Sequence, residues 1–542
     1  MRTRPSPRTR GPRRAHRIRG ARPRTAARLT AALLTAAALL VSACSSGNRA
    51  ASAGQTVQAA LAALPRTTPA ALTPYYSQRL RWRECGVPGF ECATMKAPLD
   101  YASPGAGTVR LAVARKKATG ASGRLGSLLV NPGGPGGSAV AYLQQYAGLG
   151  YPARIRARYD MVAMDPRGVA RSEPVTCLDG RQMDAYTQTD LTPDDRRERD
   201  ALVAADRRFA ESCGAHSARL LRHVSTVEAA RDMDILRSVL GDRRLNYVGA
   251  SYGTFLGATY AGLFPERVGR IVLDGAMDPS LDARRLNLDQ TAGFETAFQT
   301  FAKDCVRRSD CPLGGRGTSP ARVGDRLRAF FRELDARPLP ARDKAGRRLG
   351  EALAMTGVIA SMYDEASWPQ LREALTSAIR KRDGAALLSL SDAYYERGAD
   401  GHYSNLMMAN AAVNCLDLPS AFAGPEEVEK ALPAFEKASP VFGPGLAWAS
   451  LNCAYWPVRA TGEPHRIEAK GAAPIVVVGT VRDPATPYRW ARSLAGQLSS
   501  ARLLTYDGDG HTAYGRGSGC IDTAVDTYLL RGTPPPGGKR CS

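Results

Sequence analysis

The stretch Leu245-Asn246-Tyr247-Val248-Gly249-Ala250-Ser251-Tyr252-Gly253 decides how this chain is read. Leu245 to Val248 is a short strand-like run, and Thr254 to Leu263 is helix-like. Between them the pattern GxSxG places a serine on a tight strand-to-helix turn, where glycines on both flanks remove side chains that would collide. The pattern occurs once in 542 residues. A hydroxyl held clear of the backbone in this way is a candidate nucleophile, and the alternative is an ordinary glycine-rich turn.

The runs around it have the same character. Ser127 to Val130, Met161 to Met164, Arg270 to Leu273, Ile475 to Val478 and Leu503 to Tyr506 are short, continuously apolar and end in Gly, Asp or Asn. Such runs, separated by helical stretches, predict an α/β fold whose mostly parallel sheet is covered on both faces. Cys92 to Leu99 and Val109 to Ala114 read as edge strands. From Asp278 to about His465 the rhythm gives way to amphipathic helices, such as Asp325 to Leu334 and Trp368 to Arg380. An insertion between two strands of one sheet predicts a helical cap over the sheet's C-terminal edge, where open α/β sheets bind ligands.

A serine nucleophile needs a base. His511 follows the strand-like Leu503 to Tyr506 in the loop Asp507-Gly508-Asp509-Gly510, downstream of the serine as this fold's order requires. His402 and His465 fall in or beside the insertion, and His216 and His223 precede the serine. The acid that orients the imidazole is expected after a late strand, at Asp483. Its rivals are Asp274, Asp507 and Asp509, and a helix N-cap is the structural alternative for Asp483. For the oxyanion, the N–H of Tyr252 is one expected donor. The second is expected in the loop Asn131-Pro132-Gly133-Gly134-Pro135-Gly136-Gly137-Ser138, at Gly134 with Gly133 in reserve, because Pro135 has no N–H. No P-loop or dinucleotide fingerprint follows that loop, and no cofactor or metal is called for.

The formal charge of +23 suggests nucleic acid until it is located. Eleven arginines lie between Arg2 and Arg28, followed by an apolar run to Ala43; without that segment 63 basic residues face 51 acidic ones. A basic stretch, a short apolar stretch and small residues form an export leader. Val41-Ser42-Ala43-Cys44 resembles the lipobox of bacterial lipoproteins, in which Cys44 would be lipidated. The expected partners are therefore a membrane, through the lipid on Cys44, and no nucleic acid. Ten further cysteines, an even number in an exported chain, predict five disulfides. Pairing each with its sequence neighbour closes only modest loops. The expected organisation is a leader over 1–43, a flexible tether over 44–78, a core over 79–279, a helical cap over 280–465 and a second core segment over 466–542.

Taken together these residues resemble the α/β-hydrolase-fold serine peptidases of the prolyl iminopeptidase and secreted tripeptidyl aminopeptidase type. The resemblance rests on Trp82 to Cys85, Pro98 to Tyr101, the Asn131 to Ser138 loop and Asp165, Arg167, Gly168 and Ser172. It continues through Ser251, Asp483, Thr486 and Pro487, and ends at Gly510 and His511. Asn131 and Pro132 stand where prolyl iminopeptidases usually begin the loop with His, a departure from the prolyl pattern. The resemblance implies an α/β-hydrolase fold, an acyl-enzyme mechanism and peptide substrates with a free N-terminus. It also implies acidic cap groups for the substrate ammonium. Asp364, Glu365 and Asp417 are candidates, but a solvated surface carboxylate is the first reading of each, and the amine site is left unassigned. An esterase with the same triad and a non-catalytic substrate-binding lipoprotein are the rival readings.

Overall fold

The computed structural model describes residues 58–120 and 123–542. The leader and Cys44 lie outside the described residues. Ten strands form one sheet: β1 (Arg83–Glu84), β2 (Glu91–Pro98), β3 (Thr108–Lys116), β4 (Gly126–Asn131), β5 (Tyr159–Met164), β6 (Leu245–Ala250), β7 (Val268–Asp274), and, after a small hairpin of β8 (Leu339–Pro340) and β9 (Arg348–Leu349), β10 (Ile475–Arg482), β11 (Ala501–Asp509) and β12 (Lys539–Cys541). Their order is β1-β2-β3-β5-β4-β6-β7-β10-β11-β12. The first three strands run antiparallel, and all neighbours from β5 to β12 are parallel. The fold is that of an α/β hydrolase.

Each continuous apolar run feeds both faces of the sheet. Ile475 and Val477 of β10 join Ile271, Leu273 and Tyr247 in one core, while Val476 and Val478 join Val272, Val248 and Leu504 in the other. Full burial of such a side chain is worth about 1.5–3 kcal/mol, so a polar residue at any of these positions would be costly. The helix Tyr252–Leu263 packs on one face and Gly519–Arg531 on the other. Between β7 and β10, several of the helices from Ala283–Cys305 to Gly443–Ala449 build a second core around Phe298, Phe301, Phe331, Leu371 and Phe442, while Met408, Ala412 and Leu416 of the helix Leu406–Asp417 join the core that flanks the sheet.

Three expectations are corrected. Cys92 to Pro98 and Val109 to Ala114 do lie in strands, with Leu99 just beyond, but β1 covers β2, and β3 is interior between β2 and β5; β1 is only two exposed residues and leaves no pattern to read. The flexible spacer does not extend to residue 78. Leu61 N–H donates to Arg466, Leu64 N–H donates to Leu263, Leu72 is buried, and the Tyr76 hydroxyl bonds Asp234 at 2.7 Å. A few large apolar residues set in an Ala/Thr/Pro background carry this packing. Finally, the helical layer is not built from the insertion alone. The 26-residue helix Arg196–Leu221, between β5 and β6, places Leu202 in a cluster with Val428, Phe435 and Trp448 of the insertion.

All ten described cysteines are bonded to their sequence neighbours: Cys85–Cys92, Cys177–Cys213, Cys305–Cys311, Cys415–Cys453 and Cys520–Cys541. Among the described residues no helix is long and apolar enough to cross a membrane.

Candidate active site

Ser251 sits between the end of β6 and the first turn of the Tyr252–Leu263 helix with φ 57° and ψ −125°. A non-glycine residue at positive φ costs energy and persists only where its surroundings over-determine it. Here Ser251 N–H donates to the Asp274 carbonyl at 2.9 Å, and its own carbonyl accepts Thr254 N–H at 2.8 Å and the Thr254 hydroxyl at 2.6 Å. The flanking glycines are required sterically, since a Cβ on Gly249 would lie 2.3 Å from the Gly253 carbonyl oxygen.

The loop after β4 lies directly against this turn. A Cβ on Gly133, at φ +95°, would come within 2.5 Å of the Ala250 oxygen and 2.9 Å of both Ser251 Cβ and Tyr252 N. Gly133 donates its own N–H to Asn131 Oδ1 at 2.9 Å. The next peptide bond, Gly134–Pro135, is cis. The loop ends at Ser138, whose hydroxyl accepts Ala141 N–H at 3.0 Å and donates to Asp165 Oδ1 at 2.8 Å. Asp165 also accepts Val140 N–H, and Ser172 donates to the Asp165 carbonyl. Arg167 is fully buried; it forms a fork on Asp232 at 2.7 and 2.8 Å and donates to the carbonyls of Pro98, Leu99 and His223. Tyr101 closes that network on Asp232 at 2.8 Å. Asp165 and Ser172 thus brace the end of the loop, while Arg167 ties Asp232 to the Pro98–Leu99 segment.

Asp483 follows β10 and is 2% exposed. Its Oδ1 accepts from Ala485 N–H at 3.0 Å, Thr486 N–H at 2.9 Å and His511 Nδ1 at 2.9 Å. Oδ2 accepts from the Thr486 hydroxyl at 3.0 Å and from Thr512 N–H at 3.3 Å. The helix that follows begins at Tyr488 with Pro487 at its N-cap, so Asp483 is not that cap. An Nδ1–H directed at Asp483 leaves His511 Nε2 as the acceptor nitrogen. Nε2 is buried and has no hydrogen-bond partner among the described residues.

The ring of His511 stands over Gly275, where a Cβ would meet His511 Cε1 at 3.2 Å; the preceding Asp274 carbonyl is the one that holds Ser251 N–H. One tight turn therefore separates the serine and histidine loops. On its other side the imidazole meets the edge of Tyr363 at a centroid distance of 5.5 Å, and the Tyr363 carbonyl accepts His511 N–H at 2.8 Å.

The other candidates do different work. Asp274 accepts the backbone N–H groups of Ala513 and Tyr514, and burial pushes its carboxyl up to about 6. Asp507 and Asp509 pair with Arg482. His223 lies 3.2 Å from Glu228, His216 faces its own helix at Ser212, and His465 Nδ1 lies 2.7 Å from the Glu463 carbonyl. Asp364 is bound to Arg516 at 2.7 Å. Asp417, at the C-terminal end of the Leu406–Asp417 helix, accepts Thr226 N–H at 2.8 Å and the Thr226 hydroxyl at 2.5 Å. Sequence reading missed Tyr363 and Arg516, which are ordinary residues in their local patterns and meet His511 only through the fold.

A strained serine on a strand-to-helix turn, with a carboxylate-held histidine one turn away, defines a hydrolase of the serine type on an α/β-hydrolase scaffold. The comparisons agree. Residues 126–380 match the alpha/beta hydrolase fold family and residues 439–541 the TAP-like protein family. The chain is 38% identical to serine protease Hip1 of Mycobacterium tuberculosis, over 86% of this chain and 92% of that protein. It is 38% identical to carboxylesterase B of the same organism, over 83% and 86%, and 32% identical to tripeptidyl aminopeptidase of Streptomyces coelicolor, over 83% and 84%. The chain belongs to this family of α/β-hydrolase serine peptidases.

Proposed function

We propose that the protein is an extracytoplasmic serine exopeptidase, held at the membrane by a lipid on Cys44, that releases short peptides or single residues from free peptide N-termini. Ser251 Oγ attacks the scissile carbonyl carbon while His511 Nε2 takes the hydroxyl proton. Asp483 fixes the Nδ1–H tautomer and stabilises the imidazolium. The N–H groups of Tyr252 and Gly134 receive the oxyanion; Gly134 is preferred because the Gly133 N–H is already given to Asn131. Collapse of the tetrahedral intermediate breaks the C–N bond, with His511 returning the proton to the leaving amine. Water then hydrolyses the acyl-Ser251 ester by the same proton path.

The observation that supports the acid–base part of this reading is the coupling of Asp483 to His511 Nδ1 at 2.9 Å with Nε2 left buried and unbonded, and the N-terminal specificity rests on the likeness to tripeptidyl aminopeptidase. A panel of chromogenic amides of one, two and three residues, each with a free and an acylated N-terminus, tests it. Hydrolysis confined to the free amines supports the exopeptidase, and hydrolysis confined to the acylated ones overturns it. The relative named carboxylesterase B favours a second reading, an esterase with the same triad. Short- and long-chain esters in the same panel separate the two, since an esterase would turn over esters and leave the peptide amides intact.

A further inference from the structure

Between the helix Ala283–Cys305 and the helix Pro320–Ala336 the chain runs Val306-Arg307-Arg308-Ser309-Asp310-Cys311-Pro312-Leu313-Gly314-Gly315-Arg316. The Cys305–Cys311 disulfide closes the first part of this loop. Two basic side chains hold its backbone: Arg326 donates to the Leu313 carbonyl at 2.9 Å and Arg380 to the Cys311 carbonyl at 3.4 Å. The loop and the helix Trp368–Lys381 border a cleft of about 570 Å³, lined by Arg307, Arg308, Ser309, Asp310, Arg316 and Arg372. These residues are distinct from those that hold Ser251, Asp483 and His511. Small-molecule sites have volumes of roughly 300–1,000 Å³, but most are walled by apolar side chains with a few placed polar groups. This cleft presents four guanidinium groups instead.

Arg372 is its fixed point. The side chain is only 7% exposed, Nε lies 3.3 Å from Asp310 and Nη1 3.1 Å from Asp304, and Nη2 has no hydrogen-bond partner among the described residues. Asp304 also accepts from Arg308 Nε and Nη2 at 3.3 and 3.1 Å and lies 3.7 Å from Arg307. Arg316 is exposed and has no carboxylate partner among the described residues. Four guanidiniums therefore share two carboxylates, and two positive charges are left over at the cleft. Charged hydrogen bonds strengthen where water is partly excluded, so an acceptor reaching Arg372 Nη2 gains more than one meeting a fully solvated arginine.

We propose that this cleft binds a phosphate-bearing ligand, with Arg372 as the buried donor and Arg307, Arg308 and Arg316 as the outer ones. Guanidinium forks match the oxygens of a phosphate, and a surplus of two charges suits a phosphate dianion better than a single carboxylate. Asp310 also lines the cleft, but its charge is engaged by Arg372. The volume beyond one phosphate leaves room for the group that carries it. The site goes beyond the peptidase reading and stands whatever peptide the enzyme cleaves. A soluble phosphorylated molecule and a lipid headgroup offer the same chemistry, and the test separates them.

Isothermal titration calorimetry with inorganic pyrophosphate compares wild type, the double variant Arg307→Gln/Arg316→Gln and the control Arg196→Gln, an exposed arginine on another helix. Both cleft substitutions are at exposed positions and leave Arg372 with its two carboxylates, and thermal unfolding verifies that the fold is kept. Wild type and the control should bind pyrophosphate alike, and the double variant about 10- to 100-fold more weakly, because two charge-assisted contacts are lost. Absence of binding by wild type overturns the proposal, as does an unchanged affinity in the double variant. An equal loss in Arg196→Gln also overturns it, since overall charge and not the cleft would then govern binding. Sedimentation with vesicles of phosphatidylglycerol or phosphatidylcholine identifies the source, each compared between wild type and double variant so that contributions from the rest of the chain cancel. Retention on phosphatidylglycerol that falls in the double variant assigns a lipid headgroup. Pyrophosphate binding with no difference on vesicles assigns a soluble phosphorylated ligand.

Discussion

The sheet edge and the helical insertion meet at His511, and they hold it by different means. From the sheet side, β7 ends in Asp274 and β10 leads into Asp483, and short loops fix the ring through backbone N–H groups and a buried carboxylate. From the insertion, Tyr363 and Asp364 reach the same loop through one aromatic edge and the Arg516 side chain. The sheet supplies the reacting groups at its strand ends, and the insertion adds a second set of contacts to the histidine loop. The two layers are joined rather than independent, since Met408, Ala412 and Leu416 of the insertion lie in the core that flanks the sheet, while Phe298, Phe301 and Phe442 form a second cluster.

The comparison breaks first at Ser251. Ser251→Ala keeps the turn, removes the nucleophile and should lower kcat by about a million-fold, with unfolding temperature unchanged. Near-normal turnover would place the chemistry elsewhere. Asp483→Asn is expected to follow with a loss of about 10,000-fold in kcat, because an amide stabilises the wrong imidazole tautomer. A far smaller loss would pass the orienting role to another group, for which Asp274, bonded to the N–H groups of Ala513 and Tyr514, is the candidate.

How much of this was legible follows the same division. The elbow, the acid and the histidine each sit on a short local signal: a glycine-flanked serine, an aspartate after an apolar run, a histidine in a glycine-rich loop. Such signals survive because strand ends and tight turns constrain the residues that can occupy them. Tyr363 and Arg516 carry no such signal, since their role depends on where the insertion is docked, a contact spanning about 150 positions along the chain. The helix Arg196–Leu221 was passed over for a related reason. Its buried stripe of Leu202, Ala205, Phe209 and Cys213 is diluted by ten charged residues, and its partners in the insertion lie far away in sequence. Composition also blurred the start of the domain, where single leucines and tyrosines in a small-residue background do the packing.

The insertion's grip on the histidine loop should show a smaller effect than either sheet-borne group. Arg516 donates to the His511 and Tyr363 carbonyls and pairs with Asp364. Arg516→Met keeps the length of the side chain and removes all three bonds. Loosening the loop by a fraction of an ångström should lower kcat by about tenfold, with the unfolding temperature nearly unchanged. An unaltered kcat would mean that the insertion merely rests on the loop, and the division between the two layers would be sharper than drawn here.

The smallest expected effect lies away from the site, in the helix that the core lends to the insertion. Asp206 is 7% exposed, its one side-chain partner is the Tyr186 hydroxyl at 3.2 Å, and burial pushes its carboxyl up to about 7. In the unfolded chain the same group titrates near its usual value of about 4. Between those two pH values the folded state holds a proton that the unfolded state has released, so stability falls as pH rises through this window. Asp206→Asn is neutral throughout and still accepts from Tyr186. Its unfolding temperature should match wild type at about pH 4 and exceed it by a few degrees at about pH 7. Glu351, also raised to about 7 by burial within the insertion, should leave a residual slope in the variant, and Glu351→Gln should reduce that slope independently. If Asp206→Asn is no more stable than wild type at neutral pH, the Asp206 carboxylate is hydrated in the native state, and the seam between the Arg196–Leu221 helix and the insertion is looser than the core on either side of it.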